Sequence, residues 1–325
     1  MVSVSCMTFN HASYIVDAMN GFTIQEATFP FVCTIIDDAS TDGEPEVIRN
    51  YLQENFDLED KAVVRNEETD DYVLCFAQHK TNKNCYFAVL WLKYNHYSIK
   101  KTKRPYISRW LYNSKYIAMC EGDDYWIDPL KLQKQVGFLE SHPGYALSYT
   151  RTNHLNQKNG KIRRGPYFPY VDFKHLLIQN HIATVTCVIK MDIHLKYHKE
   201  INPTQYHWIM GDYPLWLYVA ANQNVHFLPD ITSVYRTVQG SASRPNDFEK
   251  KKRFIESRVD VQHFFIKKYN MPQELIQKVD YIASYKMALA HIEYKHYRGI
   301  CSYICRLSVK DVCKCFVHMI LAFFR

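Results

Sequence analysis

Two acidic clusters carry the chemistry legible in this chain. Asp37-Asp38 and Glu121-Gly122-Asp123-Asp124 each follow directly on an apolar run, Phe31 to Ile36 and Lys115 to Cys120. Such runs read as strands buried on both faces of a parallel sheet. In an open parallel sheet, ligands bind outside the carboxyl ends of the strands. Both clusters are therefore expected at one crevice. Converging carboxylates repel one another, and a divalent cation relieves the repulsion. Hard oxygen ligands suit Mg²⁺ or Mn²⁺, ions that also bridge to substrate phosphates. A lone aspartate after a strand is often only a turn former or a helix cap, which accounts for Asp42 and Asp128. The three carboxylates from Glu121 to Asp124 exceed what one cap needs. No Gly-x-x-x-x-Gly-Lys-Ser/Thr loop is present, so P-loop chemistry is not indicated.

The elements that must position these residues follow from the hydrophobic pattern. A strand is expected at Val2 to Met7, ending in the polar turn Thr8-Phe9-Asn10-His11, then a helix from Ala12 to Gln25. After the strand at Phe31 come a helix from Glu46 to Asn55 and a weak strand at Val63-Val64. This alternation predicts a doubly wound α/β start. Residues 67 to 112 are expected to hold one or two helices and a loop. Asp128-Pro129 reads as a helix start running to Ser141. Further strands are expected at 146–150 and 183–190, a hairpin or loop at 151–170, a short helix at 172–180, and short strands at 226–228 and 233–236. Gly211-Asp212-Tyr213-Pro214 opens another helix. Beyond Gly240 the chain reads as helical to Arg325.

Together these pieces resemble a family 2 glycosyltransferase of the GT-A fold, of the bacterial polysaccharide type. The matching residues are Val2-Ser3-Val4-Ser5 with Thr8-Phe9-Asn10, Ile36-Asp37-Asp38-Ala39-Ser40-Thr41-Asp42-Gly43, Lys115 to Trp126 continuing to Asp128-Pro129-Leu130-Lys131-Leu132, and Gly211 to Leu217. Tyr235-Arg236 and Gly240-Ser241 lie beyond. The order and spacing match the family over residues 1 to about 245, and the four motifs in order are specific where each alone is weak. The resemblance implies a Rossmann-like, mostly parallel sheet with flanking helices at 1–240 and a helical appendage at 241–325. It implies an inverting transfer from a nucleotide-diphosphate sugar, UDP-linked by expectation, to a hydroxyl of a glycan or lipid-linked acceptor.

The implied roles fall on matching positions. Thr8, Phe9 and Asn10 would hold the base, and Asp37, beside Asp38, would bond its imide edge. Glu121, Gly122 and Asp123 match the DXD motif, with Glu in place of the commoner first Asp. Asp124 joins them at the metal or backs them from behind. Asp212 matches the catalytic base, and it is also placed to cap its helix. Trp126 is expected to wall the site, and Trp216 to lie in the core. Arg236 would meet the diphosphate or form an ordinary salt bridge. Val238 stands where the family often has a His, and His226 and His207 are the alternatives.

Other readings explain less. A nucleotidyltransferase would carry a Gly-rich, basic phosphate loop, and Thr8 to Ser13 has neither feature. A phosphoacceptor receiver would leave the 121–124 and 211–212 motifs idle. A degenerate module that only binds nucleotide sugar stays open. The formal charge of +7 over 325 residues is dispersed, so nucleic acid is not an expected partner. No window holds the ~18 uncharged apolar residues of a spanning helix. The N-terminus reads as a strand, and the ten cysteines as reduced thiols. A cytoplasmic protein is therefore expected, peripheral on the inner face of the plasma membrane. The peripheral part of this rests on residues 300–325. Val309, Val312, Phe316, Ile320 and Phe323 share a helical face, extended by Cys301 and Cys305, beside the basic Arg306, Lys310 and Lys314. That pattern suits either an interfacial helix on an anionic membrane or a helix packed on protein.

Overall fold

The structure, a computed structural model, describes all residues except Tyr112, Tyr170, Ala242, Phe324 and Arg325, and the side chains of 321–323 are likewise outside the described set. The expected stripe residue Phe323 therefore falls outside it. The chain begins β1 (Val2–Thr8), α1 (Ile15–Thr23), β2 (Phe31–Asp37), α2 (Glu44–Asn55), β3 (Phe56–Asp57) and β4 (Arg65–Glu68). It continues β5 (Tyr72–His79), β6 (Cys85–Leu92), α3 (Arg104–Leu111), β7 (Tyr116–Met119), β8 (Tyr125–Trp126), α4 (Lys131–Ser141), β9 (Tyr145–Asn156) and β10 (Lys161–Arg164). Then come α5 (Phe173–Ile178), β11 (Val188–Lys190), α6 (Met191–Glu200), α7 (Asp212–Asn222) and β12 (Asn224–Thr237). The last elements are α8 (Phe248–Lys268), α9 (Gln273–Glu293), α10 (Cys301–Ile304) and α11 (Val309–Phe323).

Two compact units result. The first takes 1–170, 182–196 and 223–237, and the second takes 171–181, 197–222 and 238–325. The expected single boundary near residue 240 coincides with the last crossing only.

The first unit is built on one mixed sheet in the order β3-β5-β6-β2-β1-β7-β11-β9-β12-β8, with β4 on β5 and β10 on β9. The strands β6, β2, β1 and β7 run parallel at its centre. The flanks are antiparallel, apart from the long β9–β12 pair. β2 is buried at every position, as a central strand covered on both faces must be. The expectation for 67–112 needs correction. It contains β5 and β6, and only α3 is helical. Tyr86 to Leu92 is apolar at every position, a run too short to separate buried strand from helix by periodicity. Register with β2 settles it as a strand. Val63-Val64 precedes β4 and is not itself a strand, and β12 is one strand where two short ones were expected.

The second unit is helical. The 21-residue α8 and α9 pack together, with Phe248, Ile255, Met287 and Ala290 in one apolar cluster. α11 packs on α9 through Cys315 and Met319. Among the described residues no helix is long and apolar enough to cross a membrane.

Candidate functional site

β1 lies between β2 and β7. The chain after β2 and the chain after β7 thus leave the sheet on opposite sides of β1, the arrangement at which ligands bind beyond the carboxyl ends of the strands in open sheets. Glu44, the first residue of α2, is fully buried and ties two loops together there. It accepts the Thr8 hydroxyl through Oε1, and the His11 N–H (2.8 Å) and the Ser40 hydroxyl (2.9 Å) through Oε2. Asn10 sits at φ 57°, donates its N–H to Ser40 Oγ (2.8 Å) and accepts from the Thr41 N–H (2.8 Å). Asn tolerates that left-handed conformation better than most residues. Asp42 accepts from the Ala12 N–H (2.9 Å) and the Glu44 N–H (3.1 Å). A buried carboxylate is tolerable only with its hydrogen bonds satisfied, and Glu44 meets that condition. Sequence reasoning missed Glu44. The only signal was an acid directly after Gly43, which reads as an ordinary first-turn carboxylate.

The adjacent Asp37 and Asp38 part company. Asp37 is buried, and its Oδ1 accepts the Ser40 N–H (3.0 Å). Burial pushes its carboxyl up to about 6, against the Ser40 hydrogen bonds, with Glu44 and Asp42 adding to the rise. The carboxylate of Asp38 holds a different loop. It accepts the N–H groups of His96 (2.7 Å) and Tyr97 (3.1 Å) and pairs with Lys103 (2.7 Å). The donor contact expected of Asp38 is thus redirected, because both its oxygens anchor the 96–103 segment.

The acidic loop is laid along β1. Cys120 N–H donates to Ser5 O (3.1 Å), and Gly122 N–H donates to Met7 O (3.0 Å). A Cβ on Gly122 would stand 2.2 Å from Thr8 Oγ1 and 2.6 Å from Thr8 Cβ. Only glycine permits this approach, so Gly122 positions the loop. Glu121 and Asp123 are half-buried at its mouth, while Asp124 is buried and accepts the Arg236 N–H at 2.7 Å. Burial, then the charges of Asp123 and Glu121, push the Asp124 carboxyl well up, and Arg236 opposes them. Asp124 therefore backs the loop and does not stand at its mouth. Among the described residues, no group of three or more His, Cys, Asp or Glu converges as a ready-made metal cage. That includes the cysteines of 301–315. A hard cation held by one or two carboxylates and completed by substrate phosphates is the usual Mg²⁺ arrangement. Two carboxylates at the mouth, with a third repelled behind them, fit it.

Two expected site residues prove to be supports. Trp126 is 1% exposed, donates its indole N–H to Val185 O (2.9 Å) and packs edge-on to Phe22. It leaves no face open to a sugar, which corrects the expectation of a site wall. Arg236 is buried, ion-paired to Asp17, and donates to Gln157 Oε1 (3.2 Å). Its guanidinium lies between the rings of Tyr14 (5.0 Å) and Tyr125 (4.8 Å). A diphosphate would have to displace Asp17 to reach it. His226 stacks on Phe138 at 3.4 Å, ten residues before Arg236 on β12 and so roughly 30 Å along the strand. It cannot stand in for a histidine at Val238. His11 is the histidine that borders the acidic loop, since its Nδ1 would lie 3.1 Å from a Cβ on Gly122.

Phe9 is exposed at 43%, an apolar ring at the lip of these loops. Asp212 lies in the second unit and is the half-exposed first residue of α7. The next seven residues, Tyr213 to Val219, are all buried. Tyr213 donates its hydroxyl to Leu176 O at 2.6 Å, which pins the start of the helix. Trp216 is fully buried, in the core as expected.

No family model matches the chain. Uncharacterized proteins of Mycobacterium tuberculosis and Mycobacterium bovis are 28% identical over 192 residues, which is 58% of this chain and 46% of theirs. The chain thus spans less than half the length of the curated relatives it matches. Among solved structures, Staphylococcus aureus TarS 1–349 in complex with UDP-GlcNAc is 15% identical, with a TM-score of 0.54 over 99% of this chain and 79% of that one. The mannosyltransferase PcManGT of Pyrobaculum calidifontis, in complex with GDP-Man and Mn²⁺, is 12% identical, with a TM-score of 0.52 over 99% and 80%. At these identities the likeness shows the fold: a GT-A-like α/β sheet flanked by helices.

Proposed function

We propose that this chain is an inverting glycosyltransferase that moves a sugar from a nucleotide-diphosphate donor, UDP-linked, to a hydroxyl of a glycan or lipid-linked acceptor. One observation carries the reading. The loops after β1, β2 and β7 are bound into one acidic body at the reversal of strand order, where phosphorylated ligands sit in such sheets. The donors held by the two solved neighbours, UDP-GlcNAc and GDP-Man, support the substrate class.

In this reading Thr8, Phe9 and Asn10 flank the base, and Asp37 accepts from its imide. Glu121 and Asp123 hold a divalent cation of the Mg²⁺ or Mn²⁺ type, with Asp124 behind them. Such a cation offsets the negative charge gathering on the leaving diphosphate. Asp212 takes the proton of the acceptor hydroxyl as that oxygen bonds to the anomeric carbon and the carbon–phosphate oxygen bond breaks. The attack comes from the face opposite the leaving group, so the configuration inverts. α11 is the proposed contact with an anionic membrane. Val309, Phe316, Val317 and Ile320 are exposed on one face of it, and Lys310 and Lys314 flank them. Val312 of the expected stripe is half-buried, so Val317 takes its place on the outer face.

The test is a pair of variants. Asp212→Asn is expected to lower transfer by about 10²–10⁴-fold and to leave donor-induced thermal stabilisation unchanged. Asp123→Ala is expected to lose transfer and the Mn²⁺-dependent part of that stabilisation. Full transfer by either variant would sink the assignment. Donor binding without transfer by the wild type would leave a binding module, and release of pyrophosphate would point to nucleotidyl transfer.

A further inference from the structure

The second unit holds a group of cations that the transfer reading leaves unused. Lys251 and Arg258 are seven residues apart on α8, two turns, and therefore share a face. Lys286 comes from the adjacent α9. All three are half-buried. Arg258 lies 5.5 Å from the centre of the Tyr213 ring and donates to Ile178 O, the last residue of α5, at 3.4 Å. Lys251 donates to Ser243 O at 2.9 Å. Among the described residues no hydrogen bond or ion pair reaches Lys286.

The electrostatics agree with that geometry. Burial, followed by repulsion from Arg258 and Lys251, pushes the Lys286 ammonium down to about 8, and no carboxylate offsets them. Lys251 is also lowered by burial, which Glu293 partly offsets and to which Arg244 adds. A structural role explains Arg258, since a cation suits the carbonyl end of α5. It does not explain Lys286. A half-buried charge without a partner destabilises the fold, and such perturbed groups cluster where a ligand relieves them.

We propose that Lys286, Arg258 and Lys251 form a phosphate site in the second unit, and that its ligand is a phosphoryl group carried by the acceptor. Cations from two helices can meet a tetrahedral anion from more than one side. The donor-side residues all belong to the first unit, whereas this cluster shares a unit with Asp212, and Arg258 covers the residue that follows it. The assignment of the phosphate to the acceptor rests on the reading of Asp212 as base. The site itself does not.

The experiment uses the full chain, inorganic phosphate, glycerol 3-phosphate and UDP, followed by calorimetry and thermal melting. Phosphate and glycerol 3-phosphate are expected to bind the wild type and to raise its melting temperature. Lys286→Met is expected to bind both at least tenfold more weakly, to melt higher than the wild type without phosphate, and to bind UDP as before. Lys286→Arg is expected to retain phosphate binding, and it serves as the folded control should Lys286→Met not fold. Unchanged phosphate binding in Lys286→Met, or a lower melting temperature for it, would overturn the site. A parallel loss of UDP binding would assign the cations to the donor diphosphate and overturn the acceptor assignment. Phosphate binding as expected, with no nucleotide sugar bound or transferred, would keep the site and remove the transferase reading.

Discussion

At the residue scale, neighbours of like chemistry have unlike duties. Asp37 and Asp38 are adjacent, yet one is bound within its own loop by Ser40 and the other is fully engaged in holding 96–103. The same split separates Asp123, at the mouth, from Asp124, behind it. Asp37 gives a signed prediction. Its folded carboxyl stands near 6, above the ordinary 3.8, so its contribution to stability is full at low pH and is lost as pH rises toward and through about 6. Relative to Asp37→Asn, the wild type is expected to lose on the order of 2–3 kcal/mol of stability between pH 4 and 7, read from urea unfolding. Donor binding is expected to move the other way. The ionised carboxylate is the stronger acceptor for an imide N–H, so UDP affinity is expected to fall as pH drops below about 6, and Asp37→Asn to flatten that dependence. A pH-independent affinity in the wild type would remove Asp37 from the base site.

At the element scale, the site depends on close approaches that leave no room for side chains. Gly122 lets the acidic loop lie on Thr8, and Gly21 lets α1 lie against β8. A Cβ on Gly21 would stand 2.7 Å from the backbone nitrogen of Trp126 and 2.8 Å from its carbonyl oxygen. Backbone cannot swing aside as a side chain can. Gly21→Ala is expected to cost about 1–3 kcal/mol, the usual range for overpacking, and to weaken donor binding by displacing the strand that follows Asp124. Chemical denaturation together with a UDP titration reads both effects. Trp126 belongs to the same argument. Beside an acidic motif a tryptophan reads as a sugar platform, but here the indole fills the space between α1 and the sheet. Its neighbour Lys131 is fully buried 4.6 Å from that ring and donates to Gln135 Oε1. Burial lowers its ammonium to about 8.

At the scale of the whole molecule, the proposed donor contacts and the proposed membrane contact fall in different parts of the chain. The first unit carries the sheet and the acidic loops, and the second carries Asp212, the cation cluster and α11. The outer face of α11 is apolar while its inner face packs on α9 through Cys315. Phe316→Glu with Ile320→Glu is expected to abolish co-sedimentation with phosphatidylglycerol vesicles and to leave the fold and UDP binding intact. Equal sedimentation of this variant and the wild type would show that α11 serves another purpose. Screening by salt is expected to weaken the wild-type interaction, as for any surface attraction beyond a Debye length of about 8 Å at physiological ionic strength.

Local patterning was sufficient for much of this. The strand of β-branched residues at Val2, the apolar run at Phe31, the acidic clusters and the helix at Asp212 are short-range signals, and each appears in the structure where the pattern placed it. Residues 67–112 were opaque because a short apolar run such as Tyr86 to Leu92 suits either a strand or a buried helix, and its pairing with β2 lies some fifty residues away in sequence. Glu44 was opaque for a related reason, since its partners Thr8, His11 and Ser40 come from two loops that only the sheet brings together. Residue type and order set which acids are available and the strand ends they follow. Tertiary structure alone decided which of them stay at the surface and which are buried as supports. Burial and hydrogen bonding depend on neighbours distant in the chain, and those two quantities set whether a carboxylate can meet a ligand or must hold the fold.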